Sequence, residues 1–153
     1  MGIVGVIAIG EAAPAVPGLS FEAGPTALVF YKVTCPVCQM AAPKVAALED
    51  AYPGHVVGLG QDPEAELASF DAAHGFGAPS FADVAPYEVS NAYGIVAVPT
   101  LVLVDRDGVV RDVVQSWDRE GYNRVARELA ESTGLPLVEP SDAADGLPAF
   151  RPG

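Results

Sequence analysis

The chain holds only two cysteines, Cys35 and Cys38, set in Thr34-Cys35-Pro36-Val37-Cys38. Two thiols at this spacing can exchange a disulfide with a partner when the first stands at a helix start. Unpaired N–H groups and the dipole there favour an anion, and the thiolate is the nucleophilic form of a thiol. On this reading Cys35 is the exposed nucleophile. Cys38, one helical turn on, attacks the mixed disulfide and releases the product. Pro36 has no N–H to lose and fits the first turn of a helix.

Two inert core cysteines, or half of a zinc site, are the competing readings of the pair. Zinc would need two more ligands, and the only histidines, His55 and His74, lack the finger spacing. The residues therefore favour redox chemistry, with no metal and no cofactor. A second motif, Val98-Pro99-Thr100, stands just before an apolar run. Proline is allowed at the first residue of a strand, and from these residues alone that plain reading stands. The functional reading is a cis-proline loop beside the cysteines, offering backbone groups to an extended substrate. Lys32 reads as a solvated lysine rather than a charge serving Cys35. Gln61 and Asp62 fall at a strand end where α/β sheets place ligands, although Asp62 reads better as a helix cap. Trp117, the only tryptophan, is expected to begin the last helix and reads as a packing residue.

The elements that must position these groups follow from the apolar pattern. Ala27 to Tyr31 leaves no polar face, as in a strand buried on both sides. A helix is expected from Gln39 to Ala51, with Met40, Val45 and Leu48 inward and a kink at Pro43. Val56 to Leu59 reads as the next strand. Asp62-Pro63-Glu64 has the pattern of a helix start, with Asp capping and Pro in the first position. Leu67 and Phe70 face inward from that helix, which ends before Gly75. A short strand around Ser80–Asp83 and a brief helix around Tyr87–Tyr93 come next. Thr100 to Val104, the turn Asp105-Arg106-Asp107-Gly108 and Val109 to Gln115 form a hairpin. Asp118 to Glu131 is amphipathic, with Tyr122, Val125 and Leu129 as its buried stripe. Alternating strands and helices followed by a hairpin predict an α/β fold, a central mixed sheet flanked by helices on both faces.

With 153 residues, half of them apolar, the chain suits one domain with a real core. Its net charge of −12 argues against nucleic acid and anionic membranes as partners. Met1 to Gly10 is apolar but has no positive n-region and is too short to span a bilayer. It reads as a strand or tucked-in arm of a cytoplasmic protein. Residues 11–25 read as an extended lead-in, and 133–153 as an acidic Pro/Gly-rich tail that wraps the surface or is disordered.

Taken together, the motifs resemble the thioredoxin superfamily, and within it the TlpA/ResA-like, AhpC/TSA-related redoxins. The carrying residues are the strand into Cys35-Pro36-Val37-Cys38, Pro43, Asn91-Ala92-Tyr93-Gly94-Ile95, Val98-Pro99-Thr100 and Leu103-Val104-Asp105-Arg106-Asp107-Gly108. The likeness runs over residues 20–132, within a domain of 1–132. The 64 positions from Cys35 to Pro99 imply a TlpA-like central insertion of a helix and a strand. The resemblance also implies that Pro99 is cis and faces the dithiol, and that Val98 meets substrate backbone. Pro36, Val37 and Thr100 belong to the same implied substrate surface. The implied activity is thiol–disulfide oxidoreduction of protein or small-molecule disulfides, resupplied by an electron-donating thiol or reductase. Three positions depart from the pattern: Val29, Thr34 and Ala41 stand where relatives carry an Asp, an aromatic residue and a Glu. No proton acceptor for Cys38 is thereby identified. Peroxidases of the AhpC/TSA kind want Pro-x-x-x-Thr/Ser-x-x-Cys. Counting back from Cys35 gives Lys32 and Leu28, and from Cys38 gives Cys35 and Tyr31. A third reading is a binding or redox-sensing module, with the tail around Leu147-Pro148-Ala149-Phe150 covering the active site or a partner surface.

Overall fold

The computed structural model describes residues 5–153. Five strands form one sheet in the order β3-β2-β1-β4-β5. They are β1 (Thr26–Tyr31), β2 (Val56–Gly60), β3 (Ser80–Ala82), β4 (Thr100–Val104) and β5 (Val110–Gln115). β1 runs parallel to β2, and β2 to β3. β4 is antiparallel to both β1 and β5, so the sheet is mixed as expected. Gly108 turns the β4–β5 hairpin at φ 78°, a conformation suited to glycine.

The unbroken apolar run of β1 fills two cores. Ala27, Val29 and Tyr31 join the larger one, together with Val45 and Leu48 of α1 (Pro36–Ala51) and Tyr122, Val125 and Leu129 of α4 (Arg119–Thr133). Leu28 and Phe30 join the other, with Ile7, Val16 and Tyr93. Pleating sends alternate residues to opposite faces, so a strand covered on both sides can spare no polar position. Residues 5–10 of the opening stretch are a tucked-in arm, with the Ile7 N–H donating to Tyr93 O at 3.0 Å. The first four residues of that expectation lie outside the described residues. Between Cys35 and Pro99 come β2, α2 (Glu64–His74), β3 and α3 (Glu88–Ala92), where α2 and β3 supply the expected extra helix and strand.

Three local expectations are corrected. Helix α1 begins at Pro36, three residues before the expected start, because Cys35 itself caps it. Asp62 does not cap α2; Pro63 takes that position without a side-chain bond. The Asp62 carboxylate turns instead to the Val33 N–H, across from the end of β1. Trp117 does not open α4 but lies in a two-residue strand, β6 (Trp117–Asp118), fully buried against Tyr122 at 4.7 Å between ring centroids.

Residues 134–153 form a strap across the surface. Tyr52 accepts from the Val138 N–H at 2.9 Å and donates to Pro136 O. Asn123 exchanges two hydrogen bonds with the buried Ser141 backbone. The Trp117 indole donates to Pro148 O at 2.7 Å. Finally β7 (Phe150–Arg151) pairs antiparallel with β6. Composition reads this stretch as tail because its apolar groups are sparse; side chains of the domain supply the missing order.

Candidate active site

Strand β1 delivers the chain to the site, and a tight turn closed by the Cys35 N–H on Lys32 O hands it to α1. Cys35 is the N-cap, in extended conformation, and its Sγ accepts from the Cys38 backbone N–H at 3.2 Å. The first sulfur therefore sits where a helix offers a free donor. Cys35 is half-buried, whereas Cys38 is 3 % exposed within the larger core. Both are free thiols. Burial pushes the Cys38 thiol well above its ordinary range, with the Cys35 side chain adding to the effect and the Lys32 backbone opposing it. A buried group pays desolvation to ionise, so Cys38 is held as the neutral thiol.

The Val98-Pro99 loop reaches the same spot through strand register. Phe30 of β1 pairs with Thr100 of antiparallel β4, so the residues just before Thr100 lie across from those just after Phe30. The Val98–Pro99 peptide is cis, and the Cys35 thiol donates to Val98 O at 3.4 Å. Thr100 is buried and its hydroxyl donates to Ala97 O at 2.7 Å, bracing the loop from inside. Of the five residues expected to meet substrate, Pro36 is exposed and Val98 half-buried. Val37, Pro99 and Thr100 are buried. Their place is beneath the surface, positioning it.

Two groups that sequence reasoning misread or missed hold the segment before Cys35. Asp62 accepts from the Val33 N–H at 2.9 Å, and Gln39 donates its amide to Val33 O at 3.0 Å. Asp62 resembled a cap because Asp-Pro-Glu is a frequent helix start, but β1 and β2 are parallel neighbours and end together. Their exits therefore face each other. Gln39 gave no signal in the sequence, since a polar residue early in a helix is ordinary. Asp62→Ala is expected to destabilise the protein by about 1.5–3 kcal/mol, the usual worth of a hydrogen bond to a charged group. Asp62→Asn keeps an acceptor oxygen and should recover most of that loss. Denaturant unfolding of the two variants decides, and equal stability of Asp62→Ala with the parent contradicts the assignment.

At the two positions where the resemblance implies an acid, Val29 and Ala41 are buried apolar side chains in the core that holds Cys38. Among the described residues no three His, Cys, Asp or Glu side chains cluster to hold a metal, and no helix is long and apolar enough to cross a membrane.

The mixed five-stranded sheet with its flanking helices is a thioredoxin-like fold, and it brings Cys35, Cys38 and the Val98–Pro99 loop together. The chain belongs to the AhpC/TSA family, whose pattern matches residues 19–113, more than half of its length. No curated protein sequence matches it. Among solved structures it is similar to dsbF of Mycobacterium tuberculosis, at 26 % identity and TM-score 0.59, over 70 % of this chain and 79 % of that one. The thioredoxin domain of a Bacteroides vulgatus thiol-disulfide oxidoreductase superposes with TM-score 0.68 at 20 % identity, over 80 % and 99 %. A thioredoxin-family thiol:disulfide interchange protein of Chlorobium tepidum gives 0.63 at 17 %, over 80 % and 98 %. These likenesses agree on the fold.

Proposed function

We propose that the protein is a thiol–disulfide oxidoreductase that reduces protein or small-molecule disulfides through Cys35 and Cys38. The observation that carries this reading is the placement of the Cys35 sulfur between the Cys38 N–H and the Val98 carbonyl. The Cys35 thiolate attacks one sulfur of the substrate disulfide; an S–S bond forms to Cys35 and the other substrate sulfur leaves as a thiolate that takes up a proton. Cys38 then loses its proton and attacks the Cys35 sulfur. The substrate's second sulfur departs, and a Cys35–Cys38 disulfide remains. Two electrons have passed to the substrate, and an external dithiol or reductase returns them by the reverse exchange.

The site is reached from the protein surface. A cavity of about 580 Å³ lies at the far end of the sheet, lined among others by His55, Asp105, Arg106 and Arg111, without either cysteine. A half-buried Cys35 outside that cavity suits a disulfide carried on a larger molecule. Peroxide reduction is the alternative within the family. It lacks the hydroxyl and proline its motif calls for, since Leu28 is buried in β1 and Lys32 carries an ammonium. Turnover of an aromatic test disulfide with dithiothreitol as donor is expected. Hydrogen peroxide should be consumed no faster than by free dithiothreitol. Rapid peroxide consumption without disulfide turnover would reverse the assignment.

A further inference from the structure

Residues 151–153 of the strap run against the active site. Up to Ala149 it is fastened firmly: Arg119 Nη2 donates to Leu147 O at 2.8 Å, and the Arg119 backbone N–H donates to Ala149 O at 2.9 Å. The strap's Asp145 pairs with Lys44 on α1 at 3.2 Å. Beyond Ala149 the hold weakens to a two-residue ladder, Trp117 opposite Arg151 and Asp118 opposite Phe150, with Phe150 and Arg151 exposed. The last bond is the Gly153 N–H donating to Ser116 Oγ at 3.0 Å.

Gly153 lies directly on the Val98–Pro99 peptide. A Cβ added there would overlap the Val98 carbonyl oxygen and come within 2.6 Å of its carbon. That oxygen is the one the Cys35 thiol touches. Ser116 joins the two: its N–H donates to Pro99 O at 2.8 Å while its hydroxyl takes the Gly153 N–H. Its left-handed backbone, φ 69°, is uncommon outside glycine and lets one residue serve both the loop and the strap.

We propose that the strap's tip, Arg151-Pro152-Gly153, covers the edge of the cis-proline loop on which an extended disulfide-bearing peptide docks, and must lift before that peptide reaches Cys35. The proposal rests on the exchange reading of the dithiol. An extended peptide and the tip would use the same backbone edge, so they exclude each other. The firm base and weakly held tip define the moving part, residues 151–153.

Two variants of the full chain test this: one lacking residues 151–153, and Gly153→Ala, whose side chain has no room. Alkylation of Cys35 by iodoacetamide, followed by mass spectrometry, reads access to the sulfur independently of any exchange activity. Turnover of a disulfide-linked peptide reads docking. Both variants should react about two- to tenfold faster on each measure, the factor that one net hydrogen bond represents. Alkylation rates unchanged or slower in the shortened chain overturn the proposal, even where Gly153→Ala fails to fold. Faster alkylation with no peptide turnover in any form would uphold the cover and count against the exchange reading instead.

Discussion

Serine in place of Cys35 is expected to reduce disulfide turnover to the uncatalysed background, a loss of about a thousandfold or more. The oxygen can still accept from the Cys38 N–H and donate to Val98 O, the two contacts the sulfur makes. Geometry and stability should therefore persist. What disappears is the nucleophile, because a hydroxyl does not form its anion at neutral pH and no adjacent base stands ready to take its proton. The substitution thus separates a chemical role from a structural one. A variant with intact unfolding behaviour and more than a tenth of the parent turnover would place the chemistry elsewhere.

The parts of this site differ in how plainly the sequence announces them. The buried strand and the dithiol are local patterns: five apolar residues in a row, then Cys-x-x-Cys at the point where a helix begins. Both read directly from one short segment. The cis-proline loop does not, since Val98-Pro99-Thr100 is an ordinary way to open a strand. Only the antiparallel register of Phe30 with Thr100 brings it to Cys35. Asp62 went wrong for the same kind of reason. Local chemistry favoured a cap, and the long-range neighbour Val33 took the carboxylate instead. The strap was least legible of all, because its order comes from Tyr52, Trp117, Arg119 and Asn123 on other elements. Composition records what a segment contains, and a strap is held by what it meets.

Cys38 should give the second large effect, through pH. Burial raises its folded-state value above the ordinary thiol value of 9.0, and the unfolded chain titrates near that ordinary value. Below it both states keep the proton and the stabilisation from a neutral buried thiol is complete. As pH rises above 9.0 the unfolded chain releases a proton that the folded protein retains, so stability falls. The slope attributable to this group is about 1.4 kcal/mol per pH unit. Cys38→Ala should remove that share of the slope, measured by denaturant unfolding of the reduced proteins between pH 8 and 11. An unchanged slope would show that burial does not govern this thiol. The same burial slows the second half of the exchange. Burial remains when Cys35 is tied in a mixed disulfide, so release of product should speed up about tenfold for each pH unit between roughly 6 and 9.

The division of labour between an outer sulfur that attacks and an inner one that resolves is tested most directly by removing the inner one. Cys38→Ala, mixed with a peptide disulfide and digested without reductant, should carry half of that peptide linked to Cys35, stable over hours at neutral pH. A parent protein treated alike should instead show the Cys35–Cys38 disulfide, two mass units lighter, and free peptide thiol. Failure of Cys38→Ala to form the adduct, or a parent that accumulates it as readily, would contradict the account.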